Sequence, residues 1–362
     1  MYISSLSLSN FRNYTSEKVT FSPHTNVIYG DNAQGKTNIL EAVYLFSQGR
    51  SHRARTDREL IKFGEEFSHL SLDFHDKDRD YNAAVRLIKN GKKNIKVNHV
   101  QITKLSMLMN YLNAVMFSPE DLELVKGSPS ARRRFIDSSI SQLYPRYLTA
   151  LIDYHKALGQ KNSLLKTLKY KGARSDVMLS VWNEQLAVEG AKIMEYRREF
   201  TELLNKFASE TQAEISGEKL KITYSPGIKI SETDKSSVFK YLERNQRREI
   251  DLASAQVGVQ RDDLNVTVDT KDARTYCSQG QQRTAALSMK IAEADYIRHI
   301  KGEYPVLLLD DIMSELDINR RSYLSQKIRD KQVLITSTDT DLTQSTSDTK
   351  LIHVENGKIT EK

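Results

Sequence analysis

Eight consecutive residues, Gly30-Asp31-Asn32-Ala33-Gln34-Gly35-Lys36-Thr37, satisfy the G-x-x-x-x-G-K-[ST] pattern at every fixed position. Such a loop binds phosphate. Glycines let the backbone pass close to an anion without a Cβ, and successive amide N–H groups point inward at the positive end of a helix. Lys36 is placed to reach β- and γ-phosphates, and the Thr37 hydroxyl to hold Mg²⁺. Near the other end of the chain, Val306-Leu307-Leu308-Leu309 runs into Asp310-Asp311. An apolar run ending in carboxylates is a common strand end taken alone. Paired with a phosphate loop, it supplies Asp310 as a second Mg²⁺ ligand and Asp311 as a base to polarise an attacking water. Between them lies Ser278-Gln279-Gly280-Gln281-Gln282, a hydroxyl and a glycine where a helix begins. The three strings together describe a site that binds and splits ATP.

Each string needs an element to carry it. Val27-Ile28-Tyr29 reads as a short buried strand before the loop, and Ile39, Val43 and Phe46 recur at i, i+4, i+7 as a following helix requires. Val306 to Leu309 is apolar throughout, the form of a strand buried on both faces. Ser278 with Gln281 makes an S-x-x-Q capping box. Leu287, Ile291, Ala294 and Ile297 mark that helix's buried stripe, and Gly302 its end.

The phosphate loop and the Asp310 strand must share a sheet, so the long stretch between them holds an insertion. Up to residue 117 the chain is strand-rich, as in Leu70-Ser71-Leu72 and Ala84-Val85-Arg86-Leu87-Ile88. From 129 to 213 it turns helical. Pro129 suits a first helical position after Ser128, and Pro145 starts a second helix with Leu151, Tyr154 and Leu158 on one face. A third carries Trp182, Leu186, Ile193, Tyr196, Phe200, Leu203 and Phe207, the last five spaced as a short coiled-coil seam. Strand patterning returns at Leu220-Lys221-Ile222-Thr223-Tyr224 and Val266-Thr267-Val268. The expected fold is α/β: an ATPase head with a mixed sheet and flanking helices, from residues 1–122 and 216–362, with a compact helical arm, 123–215, inserted.

Composition sets outer limits. The 362 residues carry a formal net charge of +7, which suits a polyanionic partner. One cysteine, Cys277, excludes a disulfide framework and a four-cysteine zinc site, and fits a reducing cytosol. Met1 to Tyr14 has no basic start followed by an apolar run, and no stretch approaches 18 apolar residues. A cytoplasmic protein with no membrane partner is expected.

The helix at Ser278 starts shortly before the Asp310 strand, the order found in ATP-binding-cassette proteins. Their signature sequence grips the γ-phosphate held by another subunit, which implies roles for Ser278, Gly280 and Gln281, and Ser314-Glu315-Leu316-Asp317 resembles their dimer-contact loop. Further strings narrow the likeness. Asn10-Phe11-Arg12-Asn13-Tyr14, Phe117-Ser118-Pro119-Glu120-Asp121-Leu122, Arg132-Arg133-Arg134-Phe135-Ile136-Asp137 and Ser278-Gln279-Gly280-Gln281-Gln282-Arg283 together resemble the RecF family, bacterial recombination-mediator ATPases related to the structural-maintenance-of-chromosomes proteins. The resemblance implies a homodimer with ATP and Mg²⁺ between subunits, on double-stranded DNA and single-strand/double-strand junctions. It also implies work with RecR and RecO to load recombinase in DNA repair, replication and the SOS response. Arg12 and Asn13 are placed near the nucleotide by resemblance alone. Two departures stand out. Gly258-Val259-Gln260-Arg261-Asp262-Asp263-Leu264 has Val and Gln where the family pattern has Pro and His, and Ile335-Thr336-Ser337-Thr338-Asp339 offers hydroxyls where cassette transporters carry a γ-phosphate-sensing histidine. Asp311, shorter than the glutamate of transporters, implies slow turnover.

Two arginine clusters are candidates for DNA. Arg50, Arg53, Arg55 and Arg58 follow the phosphate-loop helix, with His52 among them, and Arg53 and Arg55 could instead face nucleotide. Arg132, Arg133 and Arg134 open a helix, where cations oppose the macrodipole unless an anion neutralises them. A solvated face is the bland alternative for both. Two other functions fit parts of the pattern: a transporter's ATPase subunit, which needs a membrane-spanning partner, and a scaffold with a vestigial site, against which Lys36, Thr37, Asp310 and Asp311 argue.

Overall fold

Alternation of buried and exposed side chains shapes the beginning of the chain. The computed structural model describes residues 1–338 and 349–361. Strands β1 (Tyr2–Phe11), β2 (Tyr14–Thr20), β4 (Phe67–His75), β5 (Asp80–Ile88), β6 (Asn94–Val97) and β7 (Val100–Ile102) pair antiparallel in the order β2-β1-β4-β5-β6-β7. In β4, Ser68, Leu70, Leu72 and Phe74 point inward while their neighbours face out, the period of two that a half-buried strand requires. β3 (Thr25–Tyr29) leaves this sheet, and helix α1 (Lys36–Gln48) follows it, burying Ile39, Leu40, Val43 and Phe46. β8 (Ala114–Phe117) is buried at every position.

A second compact unit, Leu122–Met289, is inserted at this point. It contains α2 (Glu123–Lys126), α3 (Pro129–Ser141), α4 (Pro145–Lys171), α5 (Val177–Ser216), β9 (Leu220–Ser225), α6 (Lys235–Leu252), β10 (Asp263–Val268), β11 (Lys271–Asp272) and α7 (Ala273–Tyr276), and most of its chain is helical. Pro129 and Pro145 each occupy a first helical position, as expected. Gly172 caps α4 in the left-handed conformation, and the Asp176 carboxylate accepts from the Met178 N–H to start α5.

The expected return to the ATPase half at 216 is not where the units divide. The β11-β10-β9 sheet stays with the arm: Asn205 of α5 accepts from the Ile222 N–H at 2.6 Å, and Ser209 donates to the Leu220 carbonyl at 2.8 Å. The division falls inside α8 (Gln279–Lys301), between Met289 and Lys290.

The deepest face of α5 also departs from the expected seam. Leu186, Ile193 and Phe200 lie inside, but Trp182, Tyr196, Leu203 and Phe207 are only half-buried, and Arg197 sits on the buried face with Leu204 and Ala208. Arg197 donates to the Asp262 carboxylate at 2.6 Å, to Asp137 at 2.8 Å and to the Val259 carbonyl at 2.7 Å. Asp262 also accepts from the Gly227 N–H at 2.7 Å and from the Tyr224 hydroxyl. A buried charge survives only with partners of this kind.

The first unit resumes with β12 (Val306–Leu309), α9 (Ile312–Glu315), α10 (Ile318–Ile328), β13 (Val333–Ser337), β14 (Thr349–Glu355) and β15 (Lys358–Glu361). Its second sheet runs β15-β14-β3-β13-β12-β8, parallel except for β15. One core, from Ile3, Leu6 and Phe46 to Leu308 and Val354, spans both sheets and α1.

Candidate nucleotide site

β3 and β12 are parallel members of one sheet, so Gly30 and Asp310 both follow carboxyl ends of strands, where α/β sheets place ligands. Gly30 has φ 147°, and a Cβ there would lie 2.2 Å from the Val354 carbonyl oxygen. At Gly35, φ 121°, a Cβ would meet the Asn13 amide at 2.6 Å and the Tyr14 hydroxyl at 2.9 Å. No other residue fits either position, which explains both fixed glycines of the motif.

Lys36 is buried, and its Nζ donates to the carbonyls of Gly30 at 2.6 Å and Asp31 at 3.0 Å. Burial lowers its pKa, opposed by the carboxylates of Asp311, Asp31 and Asp310. Asp31, Asn32 and Ala33 are exposed at the tip of the loop, while Gln34 is anchored: its carbonyl accepts from Asn13 Nδ2 at 2.7 Å and its Oε1 from the Asn356 N–H at 2.5 Å.

Thr37 and Asp310 meet. The Thr37 hydroxyl donates to Asp310 Oδ1 at 2.8 Å, and Thr336 of β13 donates to the same oxygen at 2.8 Å. Burial pushes the Asp310 pKa up and Asp311 adds to this, while the two threonine hydrogen bonds offset part of it. A half-buried carboxylate with hydroxyls beside it is a hard-oxygen donor set suited to Mg²⁺, which takes one or two carboxylates and completes its shell with phosphate and water. Among the described residues, no group of three or more His, Cys, Asp or Glu gathers to hold a metal by itself. Asp311 has φ 49°, a left-handed conformation that Asp tolerates, and its N–H donates to Thr336 Oγ1 at 2.9 Å. Of the expected 335–339 segment, Thr336 thus has a defined place; Asp339 lies outside the described residues.

Ser278 belongs to the second unit and is exposed at the head of α8. The capping box forms: the Ser278 N–H donates to Gln281 Oε1 at 2.8 Å, and the Gln281 N–H to Ser278 Oγ at 3.3 Å. Gln281 also donates from Nε2 to Glu218 at 2.7 Å, within its own unit. Gly280 is half-buried in the first turn.

The arginine clusters separate. Arg132 is buried and pairs through Nε and Nη2 with Asp263 at 2.6 and 2.9 Å, so its charge is met within this chain. Of the three charges at that helix start, the one on Arg132 is met by this chain's own carboxylate. Arg133 is half-buried and donates to the Asp262 carbonyl at 2.8 Å; Arg134 is exposed. Arg53 and Arg55 are both exposed, with Arg53 Nη1 donating to Asn38 Oδ1 at 3.1 Å. Arg12 forms a two-pronged pair with Glu41, at 2.8 Å from Nε and 2.6 Å from Nη2. Sequence reasoning missed Glu41 and the placing of Thr336. The one signal was a carboxylate on the apolar face of the phosphate-loop helix.

The model of the RecF/RecN/SMC N terminal domain matches residues 2–361. The DNA replication and repair protein RecF of Clostridium perfringens is 42% identical over 99% of both chains, and that of Agathobacter rectalis 43% identical over 99% of both. The chain belongs to the RecF family. A solved structure of the recombination mediator protein RecF-ATP in the RecFOR pathway resembles this RecF-family chain with a TM-score of 0.93 and 36% identity, over 100% of this chain and 97% of that one. An Smc head bound to the C-winged helix domain of ScpA shares the fold alone, at TM-score 0.60 and 17% identity over 100% of this chain and 98% of that one. The fold is therefore that of a cassette-type ATPase head. None of its described helices is long and apolar enough to cross a membrane.

Proposed function

We propose that this RecF-family chain is an ATP-dependent recombination mediator of DNA replication and repair. In this reading it pairs around ATP on duplex DNA near single-strand gaps, works with RecO and RecR in the cytoplasm, and uses slow, DNA-stimulated hydrolysis as its release switch. One observation carries the reading: Thr37 and Thr336 converge on Asp310 beside Lys36, whose loop no residue but glycine could form at positions 30 and 35.

Backbone amides of residues 31–37 cradle phosphate, and Lys36 exchanges the loop carbonyls for phosphate oxygens. Thr37 and Asp310 would hold Mg²⁺, which when bound would supply positive charge beside the transferred phosphoryl group. Asp311 orients the attacking water from a backbone fixed by Thr336. Ser278 and Gly280 present a hydroxyl and a helix N-terminus to the nucleotide held by a second copy. Support comes from this geometry and from likeness to RecF-ATP.

Lys36→Ala is expected to abolish ATP turnover and weaken nucleotide binding at least tenfold (about 1.4 kcal/mol). Both are measured on the full chain, with and without duplex DNA. Wild-type turnover in that variant dismisses the site, and no turnover in the unaltered chain with DNA revives the scaffold.

A further inference from the structure

α1 is lined with apolar side chains on its inner face, and Glu41 interrupts them. Its side chain is wholly buried, one helical turn past Thr37. Oε1 accepts from Arg12 Nη2 at 2.6 Å and from Ser51 Oγ at 2.5 Å; Oε2 accepts from Arg12 Nε at 2.8 Å. Burial alone would raise its pKa, but the Arg12 and Ser51 hydrogen bonds carry it below the usual carboxylate range. Desolvating such a pair seldom adds stability over an apolar contact, so its use must be sought in the geometry it fixes.

That geometry encloses the arginine loop. At the loop's start, Ser51 Oγ accepts from the N–H groups of Arg53 at 2.9 Å and Ala54 at 2.8 Å. At its end, the Arg12 N–H donates to the Leu60 carbonyl and Arg12 Nη1 to the Glu59 carbonyl, each at 2.9 Å. Between these ends, Glu59 accepts from the N–H groups of Arg55 and Thr56, both at 3.2 Å. Arg53, Arg55 and Arg58 are left pointing to solvent from a loop whose two ends are tied.

A relay then joins the loop to the phosphate loop. Arg53 Nη1 donates to Asn38 at 3.1 Å, Asn38 Nδ2 to Asn13 at 2.9 Å, and Asn13 Nδ2 to the Gln34 carbonyl at 2.7 Å. Arg12 itself is held at φ 54°, unfavourable for a non-glycine residue. Of its five N–H groups, the Glu41 and Glu59 bonds take three, leaving one on each terminal nitrogen. A strained arginine, a buried carboxylate and a tied loop converge on one carboxyl group.

We propose that Glu41 is a positioning residue: with Arg12 it clasps the 51–60 loop against the phosphate loop, so that a phosphate taken up by the loop's arginines and a triphosphate in the phosphate loop strengthen one another. The inference rests on the nucleotide reading above. The phosphate belongs either to the nucleotide or to a nucleic-acid backbone.

The test uses the full chain with Glu41→Gln, Arg53→Ala and the double variant. Affinity for a non-hydrolysable ATP analogue, KM and kcat for ATP with and without duplex, and Tm are measured. Each single variant is expected to weaken nucleotide binding or raise KM about tenfold while changing kcat less than threefold, and the double is no worse than the poorer single. Ser51→Ala, which unties only the loop's start and keeps the Arg12 pair, shifts KM the same way by a smaller factor. A loss seen without duplex assigns the phosphate to the nucleotide; one seen only with duplex assigns it to the backbone. Multiplying effects in the double variant, or a fall in Tm with unchanged nucleotide affinity, overturns the clasp. Failure of the nucleotide reading itself would show separately, as undiminished binding by Lys36→Ala.

Discussion

Asp310 is gripped from two sides, by Thr37 and by Thr336, and the second grip sets its direction. Removing the Thr336 hydroxyl frees the carboxylate to rotate and strips the Asp311 N–H of its acceptor. A displacement of about 1 Å at a reacting centre can cost a hundredfold in rate. Thr336→Val is therefore expected to slow hydrolysis about ten- to a hundredfold while nucleotide affinity stays within about threefold. Single-turnover rates beside equilibrium binding measure this; a variant that hydrolyses ATP normally leaves Thr336 without a part. The phosphate-loop string was legible because the motif fixes the order of its residues along the chain. Thr336 and Glu41 were not, since what each does depends on a partner on a distant strand or loop.

Elements show the same division. β3, β12 and α1 could be read from apolar runs and helical spacing, because burial on one or both faces leaves a period in the sequence. The α5 stripe could not: its inner face holds Arg197, and a charge satisfied by Asp262 and Asp137 looks like a surface residue in a linear text. The turn ending β8 makes a similar point. Asp121 accepts from the Ser118 N–H at 2.8 Å, and its N–H returns to the Ser118 carbonyl at 3.0 Å. Burial pushes its pKa up to about 6, with the Lys290 ammonium opposing. The folded value lies above the unfolded one near 3.9, so this group favours folding most below about pH 4, and that contribution is lost as pH rises through about 6. Asp121→Asn keeps the acceptor and removes the titration. Its Tm relative to the unaltered chain is expected to improve between pH 4.5 and 7, and a pH-independent difference would show that the carboxyl is ionised throughout. The units divide later than expected for a related reason: β9 and β10 have ordinary strand patterning, and nothing local reveals that β9 packs on α5 and β10 on α3.

For the molecule as a whole, the proposal of a nucleotide shared between copies stands on Ser278, which is exposed and carries a formed cap. Ser278→Arg introduces bulk and charge at a solvent-facing position, so the fold and the chain's own phosphate loop are expected to survive. Scattering mass with the triphosphate analogue should rise to that of a dimer for the unaltered chain and remain monomeric for the variant, with nucleotide affinity per chain reduced no more than about threefold. Normal dimers from Ser278→Arg remove this residue from the interface. Net charge had suggested a polyanion, yet Arg132 shows that one member of a run of cations can be paired internally by a carboxylate such as Asp263.

The order of strands bears on how this protein is made. β3, which leads into the phosphate loop, lies between β13 and β14, and both come about three hundred residues further along the chain. Until β13 and β14 have been made, the nascent chain has a loop but no neighbouring strands to hold it open. A chain cut short before β13 should therefore be as inert toward ATP as one cut far earlier, and a copy still lacking both strands cannot compete for nucleotide.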